Sequence, residues 1–355
     1  MSERALIEAI ADTAADWRDP EYGRRMEAVT ETLEADNAFT EEAVAFAVNQ
    51  QMLLLTADAL TRWIGGRHSA LGRTIGVLNP GNIPFVGLQE FLAVLLTGHR
   101  YLGTLSSKSP SLLPCFARDL ERRFPALHAD FADVPEVLAA AEAVIATGSE
   151  ETKTWVSERC DDVRIGPERR LLRGHSFAVA VLDGRETDDD YERLAEDTLL
   201  HEGFGCRSVA LIWAPHGLAP DALLDAFALF RGVFPAHSRT PGRLALQQAF
   251  LSAVERPHAF GDGLEFLLSR GDPEEQPPGH VRWTEYDALG DVKTWLRDHR
   301  DHIQLVVARA SVRDELDGIV PVEGFGEAQR PRLEWRPDGI DTVEFLTSLN
   351  RVGMR

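Results

Sequence analysis

The sequence predicts an α/β fold built on a parallel, doubly wound sheet, and three observations carry that expectation. From Arg73 onward short apolar runs alternate with amphipathic stretches of helical spacing. Glycine, proline and asparagine punctuate the junctions. No internal repeat or low-complexity tract interrupts the alternation. At 355 residues, 44% of them hydrophobic and 26% charged, the chain can bury two ordinary domains or one large one.

Residues 1 to about 64 read as helices, since ALIEAIADTAADW and EEAVAFAVNQQMLLLTADALTRWI place apolar residues three and four apart. GGRHSALG breaks that pattern. TIGVLN then reads as a strand, NPGNIP as a turn, and PFVGLQEFLAVLLTG as a helix closed by Gly98. YLGTLSS is the next strand, followed by a helix from about Pro110 to Arg123. AEAVIATGS is a buried strand, and Ser149 with Thr152 and the glutamates between them predicts a helix N-cap. RRLLRG and FAVAVLDG supply two further strands, YERLAEDTLLHEG a helix, and SVALIWAP another apolar run. GDPEEQPPGH, residues 271 to 280, has the composition of a linker.

Composition bounds the function. The 57 acidic and 37 basic residues give a formal charge of −20, which opposes binding to nucleic acid. Only Lys108, Lys153 and Lys293 are lysines. Many carboxylates with few lysines is the composition expected in a high-salt cytoplasm; arginine-rich codon usage is the alternative. Cys115, Cys160 and Cys206 show no CxxC spacing, so neither a disulfide framework nor a metal site is expected, and a reducing cytoplasm fits. The acidic N-terminus lacks the pattern of a signal peptide, and no apolar run reaches the length of a membrane span.

In an open α/β sheet ligands sit beyond the carboxyl ends of the strands, which directs attention to NPGNIP, SSKSP, ATGSEE and HEGFGC. Cys206 lies between Gly205 and Arg207, where small neighbours expose backbone N–H groups and a guanidinium or helix start would lower a thiol pKa; it reads either as a buried structural cysteine or as a nucleophile. Asn82 either turns its loop or donates to an oxyanion. Lys108 is a solvated lysine or a partner for a ribose hydroxyl or phosphate. Gly148 and Ser149 can approach a pyrophosphate at a helix start. His201 and Glu202 end a helix or donate a proton. GFGCRS follows a helix and lacks the last glycine, so it is no dinucleotide fingerprint.

Taken in order, these motifs resemble the aldehyde dehydrogenase superfamily. GRTIGVLNPGNIP is similar to its strand and Pro-Trp-Asn-Phe-Pro turn, with Gly81 at the tryptophan and Asn82 at the oxyanion-binding amide. Lys108 in SSKSP matches the lysine that holds the adenosine ribose, IATGSEE the Thr-Gly-Ser turn under the cofactor, and GFGC the loop of the nucleophile. Within the superfamily RGHSFAVAVLDG, FGCRSVALIWAP and FGEAQRPRLEWRPDGIDTVEFLTSL resemble the acyl-CoA reductases, the group of the fatty acyl reductase of bacterial luminescence. The resemblance spans roughly residues 73 to 349.

It implies two doubly wound α/β domains with the active site between them: residues 1–176 with the N-terminal helices and the nicotinamide cofactor, and 177–355 with the nucleophile. The implied activity is reduction of an acyl-CoA, a fatty acyl one in that group, to an aldehyde. NADPH would serve as the reductant and an acyl-cysteine as the intermediate, with coenzyme A released. Cys206 and Asn82 would be catalytic; Lys108, Ser111, Gly148 and Ser149 would bind cofactor. A homo-oligomer is the assembly the superfamily implies, although the stretch before Arg73 is short for its oligomerisation arm. Two departures matter. Leu171 stands where the superfamily has its general-base glutamate, and Ser111 where an acidic residue usually follows the lysine by three positions; the latter weakens the case for NAD. Aldehyde oxidation, reduction of an acyl phosphate or acyl-protein, and a non-catalytic acyl-binding subunit are the alternative readings.

Overall fold

A computed structural model describes residues 3–69 and 72–349. Four helices come first: α1 (Glu3–Trp17), α2 (Gly23–Glu34), α3 (Glu41–Leu54) and α4 (Ala57–Ile64). The long apolar stretch after Glu41 is two helices rather than one, because Thr56 leaves helical geometry and caps α4 by accepting from the N–H of Ala59. Among the described residues no single helix is long and apolar enough to cross a membrane, and this pair bends by 73°.

The alternating part follows: β1 (Thr74–Leu78), α5 (Leu88–Leu96), β2 (Arg100–Gly103), α6 (Leu112–Arg123), β3 (Ala129–Phe131), α7 (Val134–Ala140), β4 (Ala143–Thr147), α8 (Glu150–Asp162) and β5 (Arg170–Arg173). These strands pair in parallel in the order β3-β2-β1-β4-β5. The helix predicted from Pro84 begins only at Leu88, since Phe85 and Gly87 take positive φ and form a turn ahead of it. Gly98 ends the segment at φ 85°, as the sequence suggests.

A second sheet is made of β6 (Phe177–Val181), β7 (Val209–Pro215), β8 (His258–Phe260), β9 (Leu267–Arg270), β10 (His280–Tyr286), β11 (Ile303–Ala308) and β12 (Val322–Glu323). It is ordered β12-β11-β6-β7-β10-β9-β8, with only β8 antiparallel to its neighbour. Its helices are α9 (Asp188–Leu199), α10 (Asp221–Val233), α11 (Thr240–Ala253), α12 (Leu289–Asp298) and α13 (Ala310–Leu316). One face packs on α9 and α10 through Leu194, Phe227 and Trp283, the other on α12 and α13 through Val292, Leu296 and Val312. Residues 271–279 are no linker: they connect β9 to the paired strand β10.

The chain divides into two compact units, one of residues 1–37, 44–175 and 332–355, the other of 38–43 and 176–331. The last helix, α14 (Thr342–Ser348), belongs to the first unit, where Arg173 donates to Thr342 and the His99 ring meets the Leu346 carbonyl at 3.1 Å. A single cut after residue 176 does not provide for that return.

Candidate active site

In the first unit the chain steps outward from β1 to β2 and β3, then crosses back to β4 on the other side of β1. The strand order thus reverses between β1 and β4, and the loops beyond their carboxyl ends are the usual place for a ligand on such a sheet. Asn82 follows β1, Lys108 and Ser111 follow β2, and Gly148 and Ser149 follow β4, so the sequence-predicted residues of this unit lie beyond neighbouring strands of one edge. The loops of Asn82 and Lys108 touch. A Cβ at Gly81 would lie 1.8 Å from the Ser106 hydroxyl and 3.4 Å from the Lys108 Cβ, which explains why no tryptophan stands there.

Asn79, which sequence reasoning passed over, ties this loop down: its amide donates to the Tyr101 hydroxyl at 2.6 Å and the Thr104 carbonyl at 2.8 Å. Asn37, beyond α2, donates to the Lys108 carbonyl at 2.9 Å. Neither was legible, because each acts across the fold. Lys108 is exposed, and among the described residues it makes no ion pair within 4 Å, so its ammonium suits a hydroxyl-rich or phosphorylated group. Ser111 is buried at the start of α6, whose first turn carries no acidic residue. Ser149 caps α8, accepting from the N–H of Thr152 at 3.2 Å, and Gly148 packs on the Thr152 side chain. Glu150 and Glu151 in that first turn oppose an anion, so Lys108 and Ser111 fit a nicotinamide dinucleotide better than the α8 start does.

In the second unit Cys206 occupies a turn closed by Ser208 N–H donating to the Gly205 carbonyl at 2.9 Å, just before β7. Cys206 as a whole is partly exposed. No helix starts here; the nearest charge in sequence is the guanidinium of Arg207, which burial pushes down against the opposing influence of Glu323 and Cys206. Arg207 donates to Glu323 and to the Glu327 and Ala328 carbonyls; Gln329 reaches back to the Arg207 carbonyl at 3.2 Å. Asp197 on α9 accepts from Gly326 and Ala328 N–H groups at 2.7 and 3.0 Å. Residues 323–329 are thus laced around the cysteine turn. Their carboxylates, Glu323 and Glu327, stand in no pattern with the other motifs; only the resemblance of FGEAQ hinted at them.

The approach to the turn is held equally firmly. Gly203 has φ 76°, and a Cβ there would lie 2.6 Å from the Gly279 nitrogen. Glu202, itself at φ 54°, is buried and accepts from Arg231 at 2.8 Å and from Thr240. Arg243 lies 3.7 Å from the same carboxylate and 4.6 Å over the Phe204 ring. Glu202 is therefore an anchor for the loop, its carboxylate held by Arg231 and Thr240. Burial pushes His201 down to about 4, which favours the neutral ring at neutral pH.

The acyl-CoA reductase (LuxC) family model matches residues 66–221, a span that includes Asn82, Lys108, Ser111, Gly148, Ser149 and Cys206. No curated protein matches the sequence significantly. Among solved structures, an oxidoreductase from Marinobacter aquaeolei is similar at 12% identity and a TM-score of 0.72, over 97% of this chain and 84% of that one. Aldehyde dehydrogenase 21 from Physcomitrella patens gives 11% and 0.72 over 98% and 84%. An indole-3-acetaldehyde dehydrogenase solved with NAD+ gives 12% and 0.71 over 92% and 77%. Residues 66–221 thus carry the acyl-CoA reductase (LuxC) family pattern, on a chain with the aldehyde dehydrogenase fold.

Proposed function

We propose that the protein reduces an acyl-CoA to an aldehyde with a nicotinamide cofactor, through an acyl group carried on Cys206. The observation that carries this reading is the Gly205–Ser208 turn, which holds the partly exposed Cys206 next to the buried Arg207 within the family-matched segment. As thiolate, Cys206 attacks the thioester carbonyl. Its own backbone N–H donates to the oxyanion, and coenzyme A leaves as its thiolate, which takes up a proton from water. A bound reduced nicotinamide would supply the hydride that releases the acyl group as aldehyde. Lys108, Ser111 and the Gly148–Ser149 turn would bind the cofactor, with Lys108 at its ribose; the NAD+ complex of the similar indole-3-acetaldehyde dehydrogenase supports the cofactor class.

Incubation with a fatty acyl-CoA and no cofactor should leave one acyl group on the protein by intact mass. Cys206→Ala should lose the label, and a label that survives the substitution overturns the assignment. Ser111 places no charge against a 2′-phosphate, and neither does the first turn of α6. NADPH should therefore give the higher kcat/KM, and equal or faster turnover with NADH would reject that preference.

A further inference from the structure

The second unit holds two arginines that converge without a carboxylate. Arg282 in β10 is 2% exposed; its Nη1 donates to the Arg270 carbonyl at 3.3 Å and its Nε has no partner. Arg256, half-buried, follows α11. The place a Cβ on Gly271 would occupy is 2.6 Å from Arg282 Nη1 and 3.5 Å from Arg256 Nη1, so the two nitrogens lie within about 6 Å of each other. Among the described residues no acidic oxygen comes within 4 Å of either guanidinium. The neighbouring Glu285 is taken by Arg270 and His216, each at 3.0 Å. Asp272 and Glu274, on the exposed loop after Gly271, favour the Arg282 charge only from longer range.

A guanidinium does not discharge in water, so two of them at this separation, one buried, repel unless an anion lies between. The local field is visible at His280. Its nitrogens meet Ser269 and Gln247 at 2.7 Å, and burial, followed by Arg282, His258 and Arg256, pushes it down to about 3. In a chain of formal charge −20 such a basic site stands out against the whole. We propose that Arg256 and Arg282, whose guanidiniums converge beside the Gly271 backbone, form a binding subsite for a phosphate group, donated to from both sides. Free phosphate and a phosphate ester of coenzyme A share that chemistry. The subsite stands independently of the reading of Cys206.

The test is the thermal midpoint of the full chain at constant ionic strength, with sodium phosphate replacing sodium chloride. The expected result is a saturable rise with phosphate, since a ligand that binds only the folded state stabilises it by mass action. Arg256→Gln should weaken the apparent affinity about tenfold or more. Gly271→Ala, whose Cβ would come within 2.6 Å of Arg282 Nη1 and displace that guanidinium, should abolish the response. Coenzyme A, titrated in parallel, separates the sources. A shift at concentrations well below those of phosphate, weakened by Arg256→Gln, identifies the ester; a response to phosphate alone identifies the free ion. Phosphate acting no better than chloride, or a saturable shift that survives unchanged in both variants, overturns the proposal.

Discussion

Leu171 sits in β5, 3% exposed and paired with Ile145 of β4, at the position where the superfamily resemblance puts a general base. An alkyl side chain packed into a sheet deprotonates nothing. Hydrolysis of an acyl-cysteine needs a base to activate water, and such help is typically worth about 10²–10⁴-fold. Coenzyme A needs less, because a thiol is far more acidic than water. Glu202, the nearest carboxylate in sequence to Cys206, is committed to Arg231 and Thr240. Run backwards with aldehyde and NADP, the enzyme should form about one equivalent of NADPH per site, the limit set by one uncleared acyl-cysteine, and then stall until coenzyme A is added. Steady NADPH production without coenzyme A, with free acid accumulating, would show that another residue activates water.

At the scale of elements, the 323–329 segment depends on one carboxylate. Asp197 is fully buried, and burial pushes it up to about 7 despite its backbone donors and Arg207. An unfolded aspartate titrates near 3.9. The folded chain therefore holds the extra proton between those values, so this contribution to stability is complete below about pH 4 and is lost as the pH rises to about 7. His201 runs the other way: lowered to about 4, it contributes above about pH 6.5 and the contribution is lost as the pH falls through about 4. In denaturant titrations, the wild-type stability minus that of Asp197→Asn should fall by on the order of a few kcal/mol between about pH 4 and 7, then level off. A difference that is flat across that range would mean the carboxylate stays ionised throughout.

Asp197 also shows what sequence reading reached and what it missed. Local signals worked where the physics is local. The strands around TIGVLN, AVIAT and FAVAV, the Ser149 cap and the Gly98 stop all appear where periodicity and capping rules place them. Motif order fixed attention on Cys206 and on the loops beyond β1, β2 and β4. Contacts made across more than a hundred residues left no local trace, among them Arg207 with Glu323 and Asp197 with Gly326. The loop 271–279 misled for the opposite reason: its proline and carboxylates look like a linker, while its ends are fixed by the pairing of β9 and β10.

At the scale of the molecule, the question is how −20 is tolerated. Surface pairs such as Arg123–Asp16 and Arg4–Glu8 contribute little to stability and are weakened by salt. Against them stands the mutual repulsion of twenty uncompensated charges, which salt also removes, over a screening length of about 3 Å at 1 M. The excess outweighs the pairs, since it acts between every carboxylate and all the others while each pair acts once. The thermal midpoint should therefore climb from low to molar sodium chloride. A flat or falling midpoint would favour arginine-rich codon usage over a saline interior as the origin of this composition. This rise differs in form from the phosphate response of the Arg256–Arg282 subsite. Screening follows ionic strength whatever the anion and continues towards molar salt, whereas occupancy saturates. Arg256→Gln, which makes the chain one unit more negative, should steepen the first while weakening the second.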